Sequence, residues 1–243
     1  MLRKTAAVFV LAVASSIAGC SSGVDAPPAS VKTSEQPAVA QQPKAAAKRR
    51  IVVLGDSLTA GLGLPADQAY PSLLQQRLDA NGFNYEVVNA GVSGDTSAGG
   101  LSRLDWALDG DVRVLIVALG GNDALRALPA DELKQNLSRI IERAQARHIA
   151  VMLAGMEAPP NFGRDYLVSF HQVYPALAKQ YHVAFLPFLL DGVAGNTELN
   201  QRDGIHPTAQ GARIVADNVW TALKPIVEEQ QRHPTRKDGP AGS

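Results

Sequence analysis

Four short stretches of this 243-residue chain carry side chains that could do chemistry together. In the first, Gly55-Asp56-Ser57, one hydroxyl follows directly on the apolar run Ile51-Val52-Val53-Leu54. A serine hydroxyl is a weak nucleophile until a neighbouring base takes its proton, and that base needs a third group to orient it. The segment Asp203-Gly204-Ile205-His206-Pro207 offers both. An aspartate three residues before a histidine can fold back and hold one ring nitrogen, leaving the other free to act as base. A tetrahedral intermediate also needs donors aimed at its oxyanion. The Gly-rich turn Asn89-Ala90-Gly91-Val92-Ser93-Gly94-Asp95-Thr96 presents backbone N–H groups, and Gly94 has no Cβ to block a ligand's approach. In Gly120-Gly121-Asn122-Asp123, the Asn122 side chain offers an amide donor. Each stretch alone could be an ordinary turn or helix cap. Jointly they supply one acyl-transfer site: Ser57 as nucleophile, His206 as base, Asp203 as its orienter, and the Ser57 N–H, Gly94 N–H and Asn122 amide as oxyanion donors.

The elements between these turns alternate in period. Residues 51–54 and 112–119 are apolar runs of the kind that form buried parallel strands, and 85–88, 149–154 and 183–188 are shorter strand candidates. Residues 68–80 carry Tyr70, Leu73, Leu74 and Leu78 at helical spacing, with Gly82 suited to the end. Residues 131–147 do the same with Leu133, Leu137, Ile140, Ile141 and Ala144. Helices are also expected over 96–108, 166–181 and 208–223, although Gly99 and Gly100 weaken the first of these. Strands separated by helices imply right-handed crossovers and a parallel sheet covered on both faces, a three-layer α/β fold. The four chemical turns then fall at or beyond the C-terminal ends of strands, where one crevice can hold them.

The two ends read differently. Arg3 and Lys4 precede an apolar run over 6–18 that is too short to span a bilayer and reads as a secretory signal over 1–19. It closes on Ile17-Ala18-Gly19-Cys20, similar to the lipobox of bacterial lipoproteins, and Cys20 is the one cysteine in the chain. That resemblance implies cleavage before Cys20 and its lipidation. Ser21, a residue other than Asp at the next position, implies the outer membrane. Residues 20–48 are rich in Ala, Pro, Gln and Ser and suit a tether. A domain over 49–228 and a polar tail over 229–243 complete the chain, leaving about 180 residues for a single core. With 23 basic and 23 acidic residues the net charge is zero, which argues against a nucleic-acid partner. A monomeric, exported cell-envelope lipoprotein is expected.

The four turns resemble, in order and separation, the sequence blocks of the SGNH (GDSL) hydrolase superfamily. The stretches GDSLTAGLGL, NAGVSGDTSAGGLSRL, ALGGNDALRALP, APPNFGRDY and DGIHP are most similar to its bacterial acyl-CoA thioesterase, arylesterase and lysophospholipase branch. This resemblance implies a five-stranded parallel sheet in flavodoxin-like order 2-1-3-4-5, a triad of Ser57, Asp203 and His206, and an oxyanion hole of Ser57, Gly94 and Asn122. It also implies a mobile loop over 122–129 that responds to substrate. The long front end is a departure from soluble periplasmic relatives.

Other chemistries fit poorly. There is no G-x-S-x-G around Ser57, no Walker A motif and no H-E-x-x-H, and the five histidines are scattered. Neither metal nor cofactor is expected. The expected substrate is a small acyl ester or thioester, with Leu125, Leu128, Pro159, Pro160 and Phe162 as candidates to receive its apolar part. A carbohydrate O-acetyl esterase on the same fold is the alternative, distinguished by a preference for acetyl esters. A lipid- or glycan-binding lipoprotein without turnover is a further one, opposed by the complete set of triad and oxyanion residues.

Overall fold

The strand Arg49–Gly55, β1, is an interior strand of the sheet, with Ile51 to Leu54 fully buried. Both of its faces are covered, so the run is continuously apolar and does not alternate. The computed structural model describes residues 48–232. Strands β2 (Tyr85–Gly91), β3 (Val112–Ala118), β4 (Ala150–Ala154) and β5 (Ala184–Leu186) complete one parallel sheet of order β2-β1-β3-β4-β5. This is the expected order. In β3, Val114 to Val117 are likewise fully buried, whereas β2 lies at the sheet edge and leaves Glu86 and Asn89 exposed.

The connections are helical. After β1 comes the single turn α1 (Ser57–Ala60), then α2 (Tyr70–Ala80). After β2 come α3 (Ser97–Ser102) and α4 (Leu104–Ala107), and after β3 come α5 (Gly121–Leu125) and α6 (Ala130–Ala146). Helix α7 (Arg164–Tyr181) links β4 to β5, and α8 (Ala209–Arg232) ends the described chain. Helix α2 packs with α8, while α6 packs with α3 and α7, giving the two outer layers of a three-layer α/β/α fold. Helix α6 shows why: Leu133, Leu137, Ile140, Ile141 and Ala144 form one buried stripe, and Asp131 and Glu132 in its first turn suit the positive end of the helix dipole.

Register brings the chemical turns to one edge. Gly55 pairs with Gly91 of β2 on one side and Ala118 of β3 on the other, so three strands end at one level. The chain leaves β1 and β3 toward opposite helical layers, the switch point at which open α/β sheets form their crevice.

Three expectations need correction. Residues 96–108 form two short helices instead of one, broken at Arg103, whose backbone turns out of the helix at φ −105° and ψ 8°. Its side chain is held by three long-range acceptors, Asp95, Ala90 and Gly55. The last helix passes Leu223 and continues to Arg232. Val227 is buried and the Gln230 amide donates to the Arg113 carbonyl at 3.1 Å, so residues 229–232 continue the last helix of the domain. Strand β5 is shorter than 183–188, because Pro187 has no N–H for the ladder. Cys20, the signal segment and most of the tether lie outside the described residues. Among the described residues no helix is long and apolar enough to cross a membrane.

Candidate active site

The turn after β1 builds the first part of the site. Asp56 caps α1, its carboxylate accepting the Leu58 N–H at 3.0 Å, and Gly61 closes the helix in the left-handed region at φ 76°. Ser57 is therefore the first residue of a helix, where its N–H has no intrahelical acceptor. Beneath it the Thr59 and Tyr70 hydroxyls meet at 2.7 Å in the buried layer.

The Asp203–His206 segment lies against this turn. The Asp203 carboxylate accepts the backbone N–H groups of Ile205 and His206 at 2.9 and 3.0 Å, and its second oxygen lies 2.7 Å from His206 Nδ1. The backbone N–H of His206, then that of Ile205, then the imidazole hold the Asp203 carboxyl down to about 2. His206 Nε2 stands 2.8 Å from Ser57 Oγ. Gln201 fastens the segment to the serine turn: its amide donates to the Leu62 and Pro207 carbonyls at 2.7 and 3.0 Å. The three residues expected to act together are thus in one line of contact.

Gly94 and Asn122 lie in the turns after β2 and β3. Gly94 has φ +85°, a conformation that glycine adopts without strain. Its carbonyl accepts Arg126 Nη2 at 2.9 Å, while its N–H, like that of Ser57, makes no hydrogen bond with the described residues. Asn122 lies in the first turn of α5, and its amide donates to the Asp56 carboxylate at 3.3 Å. An amide NH₂ carries two protons, so one is left for an oxyanion. Residues 122–125, the first part of the segment 122–129 expected to be a loop, are helical.

Several contributors were not singled out from the sequence. Asp56 is 3% exposed, and burial pushes its carboxyl up to about 6 against the Leu58 N–H, the Asn122 amide and the nearby His206. Asp123, also buried, accepts Ser97 N–H at 2.8 Å and Ser97 Oγ–H at 2.5 Å, which ties the start of α3 to α5. Its position next to Asn122 was the available signal.

A cleft of about 540 Å³ opens beside Ser57, Asn122 and His206. Its walls are mainly apolar: Leu58, Leu125, Met156, Pro159, Phe188 and Ile205. Of the expected apolar contacts, Leu125, Pro159 and Pro160 line it. Leu128 and Phe162 do not; both serve Tyr166, which donates to the Leu128 carbonyl and packs its ring 5.7 Å from that of Phe162. Glu157 adds one carboxylate to the wall, paired with His171 at 2.7 Å. Among the described residues no three metal-ligating side chains cluster. The arrangement is one that can activate a hydroxyl, stabilise an oxyanion and shelter an apolar group.

The chain is similar to known proteins. Residues 53–214 match the GDSL-like Lipase/Acylhydrolase family. Esterase TesA of Pseudomonas aeruginosa is 45% identical over 183 residues, covering 75% of this chain and 91% of that protein. Thioesterase 1/protease 1/lysophospholipase L1 of Escherichia coli K12 is 38% identical over 185 residues, covering 76% of this chain and 88% of that one. A crystal structure of TesA aligns with a TM-score of 0.71 at 44% identity, over 73% of this chain and 99% of that one. The chain belongs to the GDSL-like lipase/acylhydrolase (SGNH) family and is a hydrolase acting on ester bonds.

Proposed function

We propose that this hydrolase cleaves carboxylic esters and thioesters of apolar acids through an acyl-enzyme on Ser57. The observation that carries the reading is the unbroken contact from Asp203 through His206 to Ser57, at 2.7 and 2.8 Å, at the mouth of an apolar cleft. His206 Nε2 takes the hydroxyl proton as Ser57 Oγ bonds to the acyl carbon. The carbonyl electron pair moves to oxygen, where the Ser57 N–H, Gly94 N–H and Asn122 amide meet it. Each such donor is worth roughly 3 kcal/mol in the transition state. Collapse expels the alcohol or thiol, which leaves with the proton from His206. A water then repeats the sequence and releases the carboxylic acid.

The names of the relatives, an esterase and a thioesterase/lysophospholipase, favour the same substrate range. A cleft of about 540 Å³ is far larger than an acetyl group requires and supports longer acyl or aryl groups over a carbohydrate O-acetyl ester. The full chain should hydrolyse p-nitrophenyl octanoate and octanoyl-CoA faster than acetylated xylan. Ser57→Ala should lower kcat by about 10³-fold or more. Retention of activity in that variant overturns the nucleophile assignment, and a strict acetyl preference overturns the substrate class.

The second part of the proposal concerns placement. Arg3 and Lys4 ahead of an apolar run ending in Ile17-Ala18-Gly19-Cys20 support export, lipidation of Cys20 and anchoring of a monomer at the outer membrane. A radiolabelled fatty acid should enter the parent and not Cys20→Ala; equal labelling overturns the anchor.

A further inference from the structure

Arg103 stands outside the cleft, yet its guanidinium is spent on the two turns that carry backbone oxyanion donors. Its Nη2 donates to the Gly55 carbonyl at 2.8 Å, its Nη1 to the Ala90 carbonyl at 2.8 Å, and its Nε to the Asp95 carboxylate at 2.6 Å. Gly55 lies two residues before Ser57. Asp95 directly follows Gly94. Ala90 is next to the last residue of β2, whose partner strand is β1. Three acceptors from two separate turns thus converge on one planar cation.

That cation is well shielded: the Arg103 side chain is 17% exposed and that of Asp95 19%. The helix between α3 and α4 breaks at Arg103. The two turns also touch directly, since a Cβ on Gly91 would lie 2.3 Å from the Ala60 nitrogen of α1. Close backbone approach sets how near the turns can come, but it leaves them free to slide. A fork of donors with fixed directions removes that freedom, which a single ammonium on a flexible stem cannot do.

We propose that Arg103 is a positioning residue for the oxyanion hole, setting the Gly94 N–H at a fixed separation from the Ser57 N–H. This rests on the reading of those two N–H groups as oxyanion donors. Ground-state substrate is held mainly by the cleft walls, which Arg103 does not touch. The clamp therefore acts on transition-state stabilisation and leaves substrate binding almost unchanged.

The test uses the full-length chain and three variants, Arg103→Lys, Asp95→Ala and Ser57→Ala, each followed by thermal unfolding and by kinetics on p-nitrophenyl octanoate. Arg103→Lys keeps a charge for Asp95 but loses the fork, so kcat should fall about 10- to 100-fold with KM within about threefold of the parent. Inhibition by phenylboronic acid, which forms a tetrahedral adduct on a serine, should weaken in the same proportion. Asp95→Ala releases one arm of the clamp and should lose kcat about tenfold, again at nearly constant KM. This variant decides the matter by itself if Arg103→Lys does not fold. A cooperatively folded variant with kcat within about twofold of the parent, or with a loss confined to KM, overturns the proposal. Ser57→Ala separates the two levels: if it stays active, the reading of the site fails, whereas if it is inactive and the clamp variants are unaffected, only the role of Arg103 fails.

Discussion

The Asp56 carboxylate, buried in the turn that carries the nucleophile, accepts the side-chain amide of Asn122 at 3.3 Å, joining the ends of β1 and β3 across the switch point of the sheet. One proton of that amide is thereby taken by Asp56, in the wall of the cleft, and the second is the one assigned to the oxyanion in the proposed mechanism.

Holding a carboxylate there costs stability. Burial raises the Asp56 carboxyl from 3.8 to about 6. The folded state therefore keeps the proton to higher pH than the unfolded state, and the group lowers stability as pH rises from 4 through 6. A displacement of that size corresponds to about 3 kcal/mol as an upper figure. Asp56→Asn keeps an acceptor for Leu58 and removes the charge. Its thermal midpoint at pH 8 should exceed the parent's by an amount equivalent to about 1–3 kcal/mol, with the gap closing toward pH 4, while kcat falls about tenfold. A midpoint below the parent's at pH 8 contradicts this.

Asp203 is shifted in the opposite direction from Asp56. Asp203, held down to about 2, stays ionised at any pH well above that value. Its own contribution to stability is present above 3.8 and is lost only as pH falls toward 2. Its contact with His206 Nδ1 leaves Nε2 as the ring nitrogen that faces Ser57 Oγ. Asp203→Ala should lower kcat by about 10²–10⁴-fold, because the ring loses its orienter and tautomer control. A kcat for Asp203→Ala within about threefold of the parent's would refute the orienting role.

Asp123 tests the scaffold between the turns that carry Gly94 and Asn122. Its two oxygens satisfy the N–H and hydroxyl of Ser97, and the Asn136 amide donates to the same hydroxyl at 3.0 Å. Asp123→Ala leaves buried donors without acceptors, a cost of about 2–4 kcal/mol. The thermal midpoint should drop by about 2–4 °C for each kcal/mol in a chain of this size. Asp123→Asn, which retains one acceptor, should lose less. Equal midpoints for Asp123→Ala and the parent would show that the network carries no stability.

What could be read from the sequence follows from what is local. Ser57, Gly94, Asn122 and the Asp203–His206 pair each sit in a turn whose residue types announce it, and β1 and β3 announce themselves by unbroken apolar runs. The rest depends on pairing between distant segments. Arg103 breaks the 96–108 helix because of carbonyls at residues 55 and 90, which no window around Arg103 contains. Glu228 to Arg232 is a polar stretch that stays helical because Val227 is buried and Gln230 reaches Arg113. Leu128 and Phe162, candidates for the cleft on apolarity alone, do not line it, and the Phe162 ring packs on Tyr166 instead. Met156, Phe188 and Ile205 reach the cleft from three separate segments, so only the fold brings them together.

Acylation of Ser57 with His206 as its base is the central claim, and covalent trapping tests it most directly. The full chain should be treated with a fluorophosphonate, digested and mapped by mass spectrometry. The phosphonyl mass should appear on the peptide containing Ser57, at a rate that falls by about 10²-fold or more in His206→Ala. Labelling at another residue, or equal labelling of Ser57 with and without His206, would contradict it.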